Sequence, residues 1–282
     1  MDKERFEFLV DKCLFEVDEN EYPEICVRLK WAKEIGCEQE EEQDYEDYLD
    51  DLFDIACGLH NSDETKVLPP SVSHLMKEIY KEALENGNYD AATNLGSMYY
   101  TGRDGHQDFN KAVEYYTIAA EHGERQAQEN LGYCYYYGRI GEPDYEKAFN
   151  YFAMGAFDGH LRSLYKIGDM YRYGYYVKKN EDEAFIIYNH CYHSNNETAD
   201  EYVGADIAMR LGDCFFEGIG TEVNLERALI LYQEAEVKFY RRLMTGDFLM
   251  KNGYKKSIRR QDEVRKMMIE GLPGYEWTKF NE

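Results

Sequence analysis

Residues 91–123 read AATNLGSMYYTGRDGHQDFNKAVEYYTIAAEHG, and this pattern returns three more times further along the chain. The pair Leu95-Gly96 comes back as Leu131-Gly132, Ile167-Gly168 and Leu211-Gly212, at steps of 36, 36 and 44 residues. The same steps carry Tyr99 to Tyr135, Tyr171 and Phe215, and Gly102 to Gly138, Gly174 and Gly218. They also carry Ala112 to Ala148, Ala184 and Ala228, and Tyr116 to Phe152, Tyr188 and Tyr232. Self-similarity at a fixed period is the mark of a repeat array.

Each unit reads as a helical hairpin. Ala91, Leu95 and Tyr99 fall on one helical stripe, and Gly102 follows where a left-handed C-cap is wanted, which ends helix A. Asp108, Asp144, Asn180 and Asn224 hold one register after it, and their side chains can accept hydrogen bonds from the free N–H groups of a helix start. Helix B begins there and runs through Ala112, Tyr116 and Ala119, with Gly123 and Gly159 closing its first two copies. The glycine inside helix A costs about 1 kcal/mol relative to alanine. Its recurrence predicts a close approach, with no Cβ at Gly96 and only a methyl at Ala112 letting the two helices pack tightly.

These residues carry a resemblance. The pattern A-x-x-x-L-G-x-x-Y-x-x-G, then D-x-x-K-A at Asp108–Ala112 and Asp144–Ala148, then Y-Y-x-x-A-A-E-x-G at Tyr115–Gly123, resembles the Sel1-like repeat (SLR) family, a relative of the tetratricopeptide repeats. Copies three and four depart from it, with Glu183 and Arg227 where lysine is usual and Tyr192 and Glu236 in place of the second alanine. The resemblance implies an all-α fold, a right-handed α-solenoid of stacked helix-turn-helix repeats. It also implies a role in organising complexes, regulating signals or host interaction.

Working outward, the register fades. Leu59, Tyr80 and Gly87 lie one period before Leu95, Tyr116 and Gly123, so 51–87 reads as a degenerate repeat with Pro69-Pro70 between its helices. Residues 88–236 hold the four clear repeats. At the other end, Thr245-Gly246-Asp247-Phe248 and Gly253 echo Leu211-Gly212 and Gly218, with Gln261–Gly271 as the matching helix B, making 237–282 a degenerate capping repeat. Residues 1–50 read as acidic N-terminal helices: one through Phe6, Leu9, Val10, Leu14 and Phe15, a second over Ile25–Ile35, and an acidic run, Glu38–Asp54, leading into a third. Ser194–Asp200 reads as a polar loop between repeats.

The 282 residues carry 32 Lys plus Arg against 56 Asp plus Glu, a formal net charge of −24. That balance disfavours nucleic acid and anionic membranes as partners. With 44% hydrophobic and 15% aromatic residues, including 27 tyrosines, the chain is too apolar for disorder. Residues 1–62 hold 20 acidic and 6 basic residues, 63–236 hold 30 and 15, and 237–282 hold 6 and 11. The C-terminal end therefore reverses sign. Lys255, Lys256, Arg259 and Arg260 are charges of a solvated cap or a second interaction patch for an acidic partner, a nucleic acid or the N-terminal region of another copy, which would give head-to-tail self-association. A charged start and the lack of any apolar run of about 18 residues predict a soluble cytoplasmic protein. Seven irregularly spaced cysteines predict reduced, buried thiols.

In a solenoid of this type helix A lines a concave binding face. Alignment through the Leu-Gly pair places Ser97, Tyr133, Asp169 and Asp213 on it, then Tyr100, Tyr136, Arg172 and Phe216, then Thr101, Tyr137, Tyr173 and Glu217. One turn earlier come Thr93, Glu129, Tyr165 and Met209. Tyr100, Tyr133, Tyr136, Tyr137, Tyr165, Arg172, Tyr173 and Phe216 are the partner-binding candidates, since rigid amphipathic side chains dominate hot spots. Some of these rings could equally pack between repeats as core. His190-Cys191-Tyr192-His193 contains metal-ligand types, but Cys191 holds the core register of Ala119, so no metal site is assigned. No P-loop, dinucleotide fingerprint, nucleophile elbow or zinc-protease motif occurs, and neither catalytic residues nor cofactors are expected. The reading is a non-enzymatic scaffold or adaptor for a basic protein or peptide. The alternative is an acidic inhibitor, immunity-like or DNA-mimicking, that occupies a basic site on its target.

Overall fold

A computed structural model describes residues 1–38, 45–60, 67–198, 201–244, 247 and 250–271. Among them every regular element is helical. Two units emerge, Met1–Asp144 and Tyr145–Glu282.

The first unit holds α1 (Lys3–Glu16), α2 (Pro23–Glu38), α3 (Tyr45–His60), α4 (Pro70–Glu85), α5 (Asp90–Thr101), α6 (Phe109–Glu121) and α7 (Arg125–Tyr136). Each packs on its chain neighbour, and α1 also packs on α4. Phe6, Leu9, Val10 and Cys13 turn α1 into the core, while Phe15 is 91% exposed and lies outside the stripe expected for it. The α3–α4 hairpin keeps the repeat register with buried Leu59 and Tyr80. His60 stands where later copies have glycine, its ring 6.4 Å from that of Tyr80. Of the acidic run Glu38–Asp54, residues 39–44 lie outside the described residues.

The second unit holds α8 (Tyr145–Phe157), α9 (Leu161–Tyr173), α10 (Glu181–Thr198), α11 (Glu201–Glu217), α12 (Leu225–Met244) and α13 (Lys251–Glu270). Again neighbours pack in order, and α11 touches both α9 and α13.

The turn chemistry matches its sequence. Gly102, Gly138, Gly174 and Gly218 take φ of 68°, 60°, 74° and 76°, the left-handed cap that side chains with a Cβ resist. Asp108 Oδ1 accepts from the N–H groups of Asn110 and Lys111, Asn180 Oδ1 from Glu183, and Asn224 Oδ1 from Arg227. One further bond repeats in all four copies. The N–H of Asp108, Asp144, Asn180 and Asn224 donates to the carbonyl of Tyr99, Tyr135, Tyr171 and Phe215, at 2.9, 3.0, 2.9 and 2.8 Å.

The close approach across the helix A glycine is met by a ring rather than by the alanine methyl. A Cβ added at Gly96 would stand 2.5 Å from the Tyr116 ring, at Gly168 2.7 Å from Tyr188, and at Gly212 2.8 Å from Tyr232. Tyr116, Tyr188 and Tyr232 are all buried.

Two expectations change. Ser194–Thr198 is not loop: α10 runs through it to Thr198, while residues 199–200 lie outside the described residues. Asn195 takes the register of Gly123 and Gly159 (φ 92° and 85°), and helix B runs on through it instead of breaking there. Phe239 holds that register in α12, which likewise extends to Met244. Gly253 is not a C-cap either. It lies inside α13, where a Cβ would stand 2.7 Å from the Phe239 ring. Thr245, Gly246 and Phe248 lie outside the described residues.

Candidate functional site

Helix A carries a position next to its glycine that is polar in α5, α9 and α11, half-buried in the first and buried in the other two. In α5, Ser97 Oγ lies 3.3 Å from the Tyr116 hydroxyl. In α9 and α11 the same register holds aspartate: Tyr188 donates to Asp169 Oδ1 and Tyr232 to Asp213 Oδ1, each at 2.7 Å. A carboxylate buried this deeply needs cations. Arg210 of α11 reaches Asp169 with two bonds, Nε to Oδ1 at 2.7 Å and an Nη to Oδ2 at 2.8 Å. Lys166 adds a contact at 3.3 Å. Burial alone would raise the Asp169 pKa; Arg210, Lys166 and the Tyr188 hydroxyl overcome it and hold the carboxyl down at about 2. Asp213 meets Lys256 at 3.1 Å, Arg260 at 3.3 Å and Arg172 at 3.5 Å. Burial opposes ionisation there too, and these cations with Tyr232 outweigh it, so the carboxyl is again held low.

This row relocates several candidate binding residues. Arg172 is only 9% exposed, tied to Asp213 and, at 3.0 Å, to Glu217. Tyr165 is 5% exposed beneath the Arg210 guanidinium, 4.3 Å from its ring centroid. Both are packing and bridging residues between α9 and α11, not outward-facing ones. Phe216 is half-buried under Arg260, at 5.1 Å. The reason is register: tetratricopeptide-based alignment points these positions outward, whereas an aspartate under the helix B hydroxyl draws the next helix A's arginine across them.

The basic C-terminal group is relocated as well. Lys256 and Arg260 dock onto Asp213 and Glu217 of the same unit, so the acidic surface they meet is α11. Arg259 pairs with Glu263 at 3.5 Å, and Lys255 is exposed. Arg260 thus takes the register of Arg210, which makes α13 an A-type helix with Gln261-Asp262 in place of Leu-Gly. Gln261 is buried, and Asp262 has a side chain 70% exposed. Asp262 faces solvent at the glycine position.

Other tyrosines do reach the surface. In the first unit Arg139 sits over three rings, 5.7 Å from Tyr100, 5.3 Å from Phe109 and 5.4 Å from Tyr137, and its Nε donates to the Tyr100 hydroxyl at 3.2 Å. Tyr137 also meets Tyr136 edge-on at 5.0 Å and stacks with Tyr133 at 6.1 Å. Tyr137 is 49% exposed, and Arg139 and Ile140 are exposed beside it. In the second unit Tyr173 is 52% exposed, with Arg172 beneath it at 5.3 Å. Residue patterns alone missed Arg139. Its position one residue past the αL glycine, flanked by aromatic helix ends, was the available signal.

Cys191 is fully buried, whereas His190 and His193 are exposed, so thiol and imidazoles point apart. Burial pushes the thiols of Cys134, Cys191 and Cys214 up to about 12, which keeps them protonated at neutral pH. No described helix is long and apolar enough to cross a membrane.

Alternating A and B helices, with a ring seated on the helix A glycine at Gly96, Gly168 and Gly212, define a helical-hairpin repeat protein of the α-solenoid class. The Sel1 repeat family matches residues 90–124, 125–160, 161–189 and 206–236, and the chain is a Sel1-repeat protein. The chain is similar to a Sel1 repeat protein of Oxalobacter formigenes, at 20% identity and a TM-score of 0.57, over 80% of this chain and 87% of that one. It is also similar to a protective antigen of uropathogenic Escherichia coli that displays an SLR fold, at 20% identity and a TM-score of 0.58, over 95% of this chain. The match spans about half, 53%, of the antigen's length. No curated protein matches the chain. Sel1 repeat proteins generally mediate protein–protein interaction.

Proposed function

We propose that the chain is a non-enzymatic, cytoplasmic scaffold or adaptor that binds a basic protein or peptide through the tyrosine-rich C-terminal ends of its A helices. The observation that carries this reading is the exposed cluster of Tyr137, Arg139 and Ile140 over Tyr100, Tyr133 and Tyr136. Its rings are held by one another and by a guanidinium, so they would lose little freedom on binding. The net charge of −24 favours a basic partner and speeds encounter with it. The partner-binding set is accordingly Tyr100, Tyr133, Tyr136 and Tyr137 in the first unit and Tyr173 in the second.

The test is titration of a partner captured from native lysate against wild type and a Tyr136→Ala/Tyr137→Ala double variant. The variant is expected to bind at least tenfold more weakly, with its unfolding midpoint close to wild type. Equal affinity would overturn the reading.

A further inference from the structure

Tyr176 is held at φ 64° and, among the described residues, is the one residue other than glycine with positive φ. The next copy shows what the backbone wants there: Gly220, one period of 44 residues later, takes φ 62°. A tyrosine in this region is strained where glycine is not, and such strain gathers at functional positions. The ring is 54% exposed, so core packing does not account for it. It is backed by Phe149 at 5.5 Å, and Tyr173, 52% exposed, lies 5.5 Å from Tyr175 in the same loop.

The rest of the chain shows what such rings receive. At the corresponding loop of the preceding copy, Arg139 lies across Tyr100, Phe109 and Tyr137; Tyr175 holds the register of Arg139. Arg210 covers Tyr165, Arg227 covers Phe215 at 4.8 Å, and Arg260 covers Phe216. Guanidinium on ring is the recurrent pairing of this architecture, and the Tyr176 face is open to an outside one.

We propose that the exposed ring of Tyr176, backed by Phe149, is an aromatic ledge that takes an arginine side chain from a basic segment of a partner protein. This rests on the scaffold reading above and names the chemistry recognised at one place on it. The chain's charge of −24 complements such a segment. Lys178, exposed two residues beyond Tyr176, is a like charge that limits affinity.

The full chain is titrated with acetyl-Gly-Arg-Gly-Arg-Gly-amide and with its uncharged citrulline counterpart, at low salt, following tyrosine ring resonances. Wild type is expected to bind the arginine peptide, with shifts at Tyr176, about five- to tenfold more tightly than the citrulline peptide. Tyr176→Gly should lose that margin with Tm within about 2 °C of wild type or higher, since the strain is relieved. Tyr176→Phe should keep it, because the ring face and not the hydroxyl meets the cation. Equal binding of the two peptides, binding unchanged in Tyr176→Gly, or a Tm drop of more than about 5 °C in that variant would each overturn the ledge. If the arginine margin disappears instead in Tyr136→Ala/Tyr137→Ala, the scaffold stands and the ledge falls.

Discussion

The Tyr116 hydroxyl in the first unit meets the neutral Ser97, whereas the equivalent Tyr188 and Tyr232 in the second meet Asp169 and Asp213. Ring, glycine and backbone are the same. The exchange of a hydroxymethyl for a carboxylate changes everything downstream. It recruits Arg210, Arg172, Lys256 and Arg260, ties successive A helices together, and commits those four cations to the contacts among α9, α11 and α13. In the first unit the serine asks for no cation, and Arg139 lies at the surface over rings. One repeat thus has two ways to join its neighbours, and the choice decides which arginines and tyrosines a partner can reach.

The largest test of this contrast removes the carboxylate. Asp213→Ala leaves three cations facing an empty site and is expected to destabilise by about 3–5 kcal/mol in urea unfolding. Ser97→Ala should cost about 1 kcal/mol or less. Similar losses would erase the distinction between the units. The glycine–ring contact, by comparison, is common to both. Gly96→Ala and Gly168→Ala place a Cβ 2.5 and 2.7 Å from their rings, and both should cost about 1–3 kcal/mol. Divergent costs would mean that the rings are seated differently.

Acid separates the units more gently. A carboxyl held below its ordinary value of 3.8 stabilises the fold above that pH, and the contribution disappears as pH falls towards about 2 for Asp169. Stability should therefore drop by about 2 kcal/mol through this window. Asp169→Asn should abolish that part of the slope, as seen in denaturant midpoints between pH 4 and pH 2. Smallest of all, Tyr137→Ala is expected to change stability by less than about 1 kcal/mol, because half the ring is in water. A larger loss would mark the first unit's surface rings as core.

What could be read from residues alone follows from how narrowly each position is constrained. Left-handed caps demand glycine, helix starts demand Asp or Asn, and a ring seated on a helix demands Gly96, so the hairpins and their register were visible. The depth of Arg172 and Tyr165 was not, because an arginine's destination depends on an aspartate 41 residues away from it in sequence, as Arg172–Asp213 shows. The C-terminal helix escaped for a related reason. Asp262 stands where the glycine would, so the motif that announces helix A is lost while Arg260 keeps its place. Helix α10 outran its expected end because polarity at Ser194–Thr198 was read as a loop, when the missing glycine was the informative residue.

The bond from each helix B cap to the carbonyl nine residues before it has a consequence for how this chain can be lengthened. In all four copies that bond clamps the A-to-B link, and the cap is the sixth residue after the αL glycine every time. The extra eight residues of the third step fall wholly on the other side, between Ala184 and Leu211. Inserted sequence, whether acquired naturally or grafted by design, has one permissive port per repeat, at the B-to-A junction. A tag or binding loop placed there should leave the array intact, and the same loop placed after Gly102 or Gly218 should not.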